Sequence, residues 1–353
     1  MVVKSFCAMI RIYALCATNN GLDVVDLVRH KLPIVGIIGL VDKKKSDTIS
    51  NLADAQTYCQ QRGLEFIGIS DYSLESAEAR KTLSAIKISV LLAFAWQRLV
   101  PEWLLSQCRI GALGLHGSAR GITAGRGRSP QNWALMMGMQ SFDVSLFWLD
   151  PGIDSGPIIA SRNFPLTDED DIATSHTKTS IAAAEMLLEA ANNGSLVKRD
   201  GKTQDTDATY LPQRRPEDGA IDWTQPRRRI LDFIRALVPP YPCAFSNLEN
   251  GRLVIRRARR FDCPTSHPPV PGRIAAAFIE GGMIVETGNG AILIDAWTVD
   301  GTANLSPGYV LPSVNAAQQI ERIIARHRKR YPELPIAIDV LNYAELLRSK
   351  EDL

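Results

Sequence analysis

Between residues 10 and 159, short apolar runs of strand length alternate with stretches of helical periodicity, and few folds accommodate that alternation. Parallel strands need long crossovers, and helices that cross over cover both faces of the sheet they connect. The pattern predicts strands over 10–17, 33–41 and 64–69. Helices are expected over 21–30, 47–62 and 77–86, the second opening on Asp47 as its cap. The run Ile88-Ser-Val-Leu-Leu-Ala-Phe-Ala95 is β-rich and apolar enough for a central strand buried on both faces. Pro101 suits the first turn of a short helix. A strand over 110–115 then delivers His116 at its carboxyl end, and a long helix is expected over 172–192.

Near residue 198 the periodicity gives way to Asp, Thr, Gln and Arg, which predicts a linker over 198–209. Beyond it, residues 252–260, 272–278, 283–287 and 291–297 read as short strands separated by Gly and Pro turns, as in a small barrel or sandwich. Helical periodicity returns over 315–329 and 340–350, around Pro332 and Pro335. The expected architecture is α/β: a Rossmann-like, mostly parallel sheet with helices on both faces, then a β-rich, barrel-like (OB-like) C-terminal domain and a helical tail. The expected boundaries are 1–200, 208–310 and 311–353, and 353 residues suit two domains and a tail.

Composition removes several classes of function. Apolar residues at 45% and charged residues at 22% match the soluble globular average of roughly 45–50% and about 25%, against a disordered or fibrous chain. The longest apolar stretches, 34–41 and 88–95, fall far short of the roughly 20 residues a membrane helix needs. Lys4 is followed by Arg11 before any signal-peptide core forms, so a cytoplasmic protein is expected. The six cysteines form no CxxC pair and the five histidines are dispersed, so no metal is expected. A net charge of +2 gives no global argument for nucleic acid. The first strand leads into Thr18-Asn-Asn-Gly-Leu22, which lacks GxGxxG and disfavours a dehydrogenase.

The chemistry-bearing residues lie in three segments: Gly114-Leu-His-Gly-Ser118, Gly125-Arg-Gly-Arg-Ser-Pro-Gln-Asn-Trp-Ala134 and Asp150-Pro-Gly-Ile-Asp-Ser-Gly-Pro157. Together they resemble the signature of the folate-dependent formyltransferase family, which includes methionyl-tRNA formyltransferase and the amino-sugar N-formyltransferases. There the strand-end motif reads Asn-x-His-(Gly/Pro)-Ser and the turn Gly-(Leu/Ile/Val)-Asp-(Ser/Thr)-Gly. The resemblance covers about residues 88–245. It includes Ala95-Trp-Gln-Arg-Leu-Val-Pro101, similar to the segment bounding the pterin pocket, and Leu211-Pro-Gln-Arg-Arg-Pro-Glu-Asp-Gly-Ala-Ile-Asp-Trp223 with 234–245 in the C-terminal domain. Arg126-Gly-Arg-Ser-Pro-Gln-Asn-Trp133 is closer to the loop of the enzyme acting on UDP-4-amino-4-deoxyarabinose than to that of the tRNA enzyme.

The resemblance implies formyl transfer from 10-formyltetrahydrofolate, without a metal, to a primary amine. The acceptor it favours is a nucleotide-linked amino sugar, with initiator tRNA second and a homo-oligomer left open. Amine attack on a formyl carbon creates an oxyanion and an ammonium, so the site needs hydrogen-bond donors and a proton acceptor. By resemblance His116 stabilises the oxyanion and moves protons, while Asp154 orients it and helps deprotonate the amine. Ala95, Trp96, Gln97, Asp150 and Gly152 would hold the folate; Gly114, Ser118, Arg126 and Arg128 would face the substrate. One departure stands out. Gly114 occupies the position of the family's catalytic asparagine, and one lost oxyanion donor costs about 10²–10³ in rate elsewhere. Gln97, Asn132 and the Arg126/Arg128 loop are the replacement donors to test, and a weakened folate-binding or formyl-folate hydrolase homologue is the alternative. Plainer readings also stand: a structural histidine, an aspartate of turn chemistry, a packing Trp96, a solvated arginine loop, and Arg227–Arg229 and residues 256–260 as exposed faces of a helix and a strand.

Overall fold

The computed structural model describes residues 10–41, 52–205, 207–262, 268–302 and 305–349, in two compact units. The first comprises Met1–Arg126, Phe142–Phe164 and His176–Ala208; the second comprises Gly127–Ser141, Pro165–Ser175 and Thr209–Leu353.

The first unit is built on β1 (Ile12–Leu15), β2 (Ile34–Leu40), β3 (Glu65–Ile69), β4 (Val90–Ala93) and β5 (Gly111–Ser118), followed by the short β6 (Arg126–Gly127), then β7 (Ser141–Trp148) and β8 (Ile158–Pro165). Its seven-stranded sheet runs β3-β2-β1-β4-β5-β7-β8, parallel from β3 to β5 and antiparallel between β5 and β7. Strand alternation sorts the core into two layers. Ile12 and Ala14 join one layer with residues of α1 (Asn19–Val28), α2 (Ala55–Arg62) and α6 (Ile172–Asn192). Tyr13 and Leu15 join the other with residues of α3 (Ala77–Ser84) and α4 (Glu102–Gln107). Strand order in the sheet reverses between β1 and β4, which remain parallel, so the carboxyl ends of β1 and β4 flank the switch point where ligands of open α/β sheets bind.

Several boundaries differ from expectation for identifiable reasons. Asp54, not Asp47, caps α2 by accepting the Thr57 N–H at 3.1 Å; Asp47 lies outside the described residues. Pro101 precedes the first turn of α4 instead of sitting within it. β5 runs three residues past Leu115. It pairs with β4 only as far as Gly114, but antiparallel β7 partners it from Leu113 to Ser118. His116 therefore sits inside a strand, opposite Ser145. β7 and β8 are not among the strands the apolar runs predict. α7 (Ser195–Lys198) ends where the expected linker begins, and within that stretch Lys202 is hydrogen-bonded to Ile158.

The second unit contains α5 (Pro130–Met136), the short β9 (Tyr210–Leu211), α8 (Arg227–Arg235) and a five-stranded antiparallel sheet. The sheet runs β10-β11-β14-β13-β12, from β10 (Ala244–Leu248), β11 (Asn250–Phe261), β12 (Ile274–Ala277), β13 (Met283–Thr287) and β14 (Gly290–Thr302). Trp223 is fully buried and donates its indole N–H to Ser246 Oγ at 2.8 Å. The chain continues through α9 (Ala316–Arg330) and α10 (Ile338–Arg348). The fold class is the expected one: a mostly parallel sheet with helices, an antiparallel C-terminal sheet and terminal helices.

Cys16, Cys59, Cys108 and Cys243 are free and buried. Burial pushes the Cys59 thiol up to about 11 and Cys108 up to about 12, so both stay protonated and unreactive at neutral pH. Cys7 and Cys263 lie outside the described residues. No described helix is long and apolar enough to cross a membrane.

Leu92 is fully buried in β4, whereas Leu99 is 61% exposed. Leu92→Ala is expected to lower the unfolding free energy by about 2–5 kcal/mol. Leu99→Ala is expected to change it by less than about 0.5 kcal/mol. Urea titrations of both variants check the contrast.

Candidate active site

Beyond β4 the chain turns sharply. Ala95 adopts φ +59°, an uncommon conformation for a residue with a Cβ. The next residue, Trp96, is tucked into the same core layer as Tyr13 and Leu15. Tyr72 packs edge-on against its ring with centroids 4.7 Å apart, and the Tyr72 hydroxyl accepts the Gln97 N–H at 3.0 Å. The Asp71 carboxylate holds that loop, accepting from Ser73 N–H and Oγ at 2.9 and 2.7 Å and from the Glu75 and Ser76 amides at 2.8 and 2.7 Å. Burial alone would raise the Asp71 carboxyl, but these hydrogen bonds outweigh it and bring the group to about 2. The buried Trp96 Nε1 has no hydrogen-bond partner among the described residues, which leaves an unmatched indole donor three residues past the end of β4.

His116 lies two residues beyond Gly114 on the same face of β5. Its Nε2 is 2.8 Å from the Gly125 carbonyl oxygen, which can only accept, so Nε2 bears a proton and donates it there. Nδ1 is 3.5 Å from Asp154 Oδ2. The two residues are 38 positions apart in sequence, and the imidazole is 9% exposed and the carboxylate 22% exposed. Asp154 occupies a left-handed turn at φ +50°, which Asp tolerates better than most residues. The turn is braced from within: Asp150 Oδ1 accepts from Gly152 N–H at 3.1 Å and Ser155 Oγ at 2.6 Å. A Cβ on Gly156 would lie 1.8 Å from the Trp148 carbonyl oxygen, so only glycine fits there. Asp150 therefore shapes the turn, and Gly152 is exposed on it.

Gly114 is packed under side chains. A Cβ there would lie 2.6 Å from Leu149 Cδ2 and 2.7 Å from Phe147 Cζ, and Phe147 is its buried cross-strand partner. The space an asparagine would need is filled. Ser118 is buried, and its Oγ accepts the Arg120 N–H at 3.3 Å. Arg126 is buried with Nη2 on Gln204 Oε1 at 2.8 Å, so it does not belong to a solvated loop; its Nε has no hydrogen-bond partner among the described residues. Asn132 donates to the Ala236 carbonyl within the second unit, a structural use of its amide. Arg128 also belongs to the second unit, where its N–H meets Leu211 O at 3.4 Å.

Ala95, Trp96, Gln97, Gly114, His116, Ser118, Arg126, Asp150, Gly152 and Asp154 thus all fall in the first unit. Sequence reasoning missed Tyr72, Phe147 and Gln204. Gln204 donates to the carbonyls of Asp154 and Gly156 at 2.9 and 2.7 Å. None of the three sits in a recognisable motif, and Gln204 lies where periodicity lapses. No group of three or more His, Cys, Asp or Glu able to hold a metal occurs among the described residues.

Comparison with known proteins gives the family directly. Residues 18–191 match the formyl transferase domain and residues 214–308 the formyl transferase C-terminal domain. The chain belongs to the formyl transferase family. Solved structures share the fold. HypX from Aquifex aeolicus in complex with tetrahydrofolic acid matches with a TM-score of 0.60 and 17% identity over 93% of this chain, which spans only 59% of that HypX chain. An N-formyltransferase from Helicobacter canadensis, in complex with folinic acid and dTDP-3-aminofucose, matches with a TM-score of 0.54 and 12% identity, covering 82% of this chain and 100% of the other. Methionyl-tRNA formyltransferase from Clostridium thermocellum matches with a TM-score of 0.51 and 18% identity, covering 83% of this chain and 100% of the other.

Restoring the family asparagine by Gly114→Asn is expected to lower stability by about 1–3 kcal/mol through overpacking. Combining it with Phe147→Ala is expected to cost less than the sum of the two single changes, by at least about 0.5 kcal/mol. A double-mutant cycle in urea measures this; strict additivity would show that Phe147 does not fill the asparagine's space.

Proposed function

We propose that the chain transfers a formyl group from 10-formyltetrahydrofolate to the amino group of a nucleotide-linked amino sugar. The observation that carries this reading is the approach of His116 Nδ1 to Asp154 Oδ2 at 3.5 Å on the carboxyl side of the parallel sheet. Ala95, Trp96 and Gln97 are suited to hold the folate, since they follow β4 at the switch point and include the unpaired indole donor of Trp96. When bound, the folate supplies an activated formyl carbon. On this reading Asp154 accepts a proton from the attacking amine and keeps the imidazole oriented. The Nε2–H of His116 is given to the Gly125 carbonyl here, so on this reading it serves a developing oxyanion by exchanging that acceptor for the formyl oxygen.

Two observations favour a sugar over tRNA. The loop at 126–133 is closer to that of the amino-sugar enzymes. Three of the five arginines of β11 are also engaged: Arg257 and Arg259 share Asp295 at 2.7 Å each, and Arg260 pairs with Asp262 at 2.6 Å. The filled space at Gly114 favours one second reading, a formyl-folate hydrolase in which water replaces the amine.

Incubation with 10-formyltetrahydrofolate and a panel of nucleotide amino sugars is expected to give a product heavier by one CO, detected by mass spectrometry. His116→Ala and Asp154→Asn are each expected to slow its formation by about 10²–10⁴-fold. Formate release without any formylated sugar would replace transfer with hydrolysis. Turnover that survives both substitutions would remove the catalytic assignment.

A further inference from the structure

We propose that Gln204 is a positioning residue that fixes Asp154 against His116; the claim rests on the reading of those two groups as the proton-handling pair. The local chain delivers it. The Trp148 indole donates to Asp200 O at 2.9 Å, and Lys202 exchanges both backbone hydrogen bonds with Ile158 at 2.7 and 2.8 Å. A Cβ on Gly201 would lie 2.8 Å from Pro157 Cβ, so the segment runs close against the start of β8. Two residues beyond Lys202, the Gln204 carboxamide reaches the catalytic turn.

Each end of that carboxamide has a distinct task. Nε2 has two hydrogens and places them on Asp154 O at 2.9 Å and Gly156 O at 2.7 Å, on either side of Ser155. Oε1 accepts from Arg126 Nη2 at 2.8 Å and lies 3.5 Å from Thr123 Oγ1. Arg126 directly follows Gly125, whose carbonyl holds the other nitrogen of His116. One amide therefore joins the two backbone segments that flank the imidazole, the turn bearing Asp154 and the loop bearing Gly125. Such a clamp helps hold Asp154 in its left-handed conformation, which a residue with a Cβ adopts less readily than glycine. Losing the two amide donors frees the turn to relax and moves the carboxylate away from Nδ1.

Two substitutions separate positioning from general stability. Gln204→Leu removes both ends of the amide. Gln204→Glu keeps the length and the acceptor for Arg126 but offers the carbonyls of Asp154 and Gly156 no donor. Both are expected to lower kcat by about 10²-fold, the cost of an ångström-scale misplacement, with KM for donor and acceptor nearly unchanged. In an Asp154→Asn background, neither should reduce kcat further. A readout independent of turnover is the nitrogen chemical shift of His116 Nδ1 by NMR at fixed pH. It should move in both variants toward its value in Asp154→Asn, and should not move when either is added to Asp154→Asn. A lower melting temperature with unchanged kcat and an unchanged Nδ1 shift would overturn the proposal. An inactive wild type in which the Nδ1 shift still depends on Gln204 would retire formyl transfer and leave the positioning role in place.

Discussion

The antiparallel pairing of β5 with β7 is the constraint on which the rest of the site depends. The parallel neighbour β4 stops at the level of Gly114, and without another partner the backbone from Leu115 to Ser118 would present unpaired N–H and C=O groups on both edges. β7 supplies that partner and so extends a rigid strand beyond the parallel sheet, with His116 on it. β7 then continues into Leu149, whose N–H bonds to Ala112 O, and into the turn that returns Asp154 to the imidazole. One ladder thereby places two residues from separate segments of the sequence within reach of one another.

The ladder also explains the glycine at 114. Antiparallel register sets Phe147 directly opposite it, and the ring occupies the space a larger side chain would take. The departure from the family's asparagine is thus a matched pair, a small residue on one strand and an aromatic on the next. No such exchange affects the imidazole or the carboxylate. On the proposed reading the site keeps the imidazole and carboxylate while position 114 offers no side-chain donor, which is why hydrolysis stands beside amine transfer as a proposal.

Much of the scaffold was legible because burial writes itself as periodicity. The helix expected over 172–192 matches Ile172–Asn192, and the strand expected over 283–287 matches Met283–Thr287. Both are regular elements whose apolar positions face a core. β8 escaped because it is flanked by one strand only and half of its residues are polar or exposed, so no apolar run marks it. His116 and Asp154 were legible only as parts of a composite motif, since each alone is ordinary chemistry for a strand end and a turn. Gln204 was not legible at all. It works through one carboxamide touching two carbonyls and a guanidinium, and such contacts leave no spacing pattern in a polar stretch.

The most direct test of the account is a crystal structure with 5-formyltetrahydrofolate, a stable relative of the proposed donor. The account predicts the pterin against the Ala95–Trp96–Gln97 segment and the folate's one-carbon end beside His116, with Asp154 still facing Nδ1. A folate bound elsewhere, or an imidazole and carboxylate that separate when it binds, would contradict it.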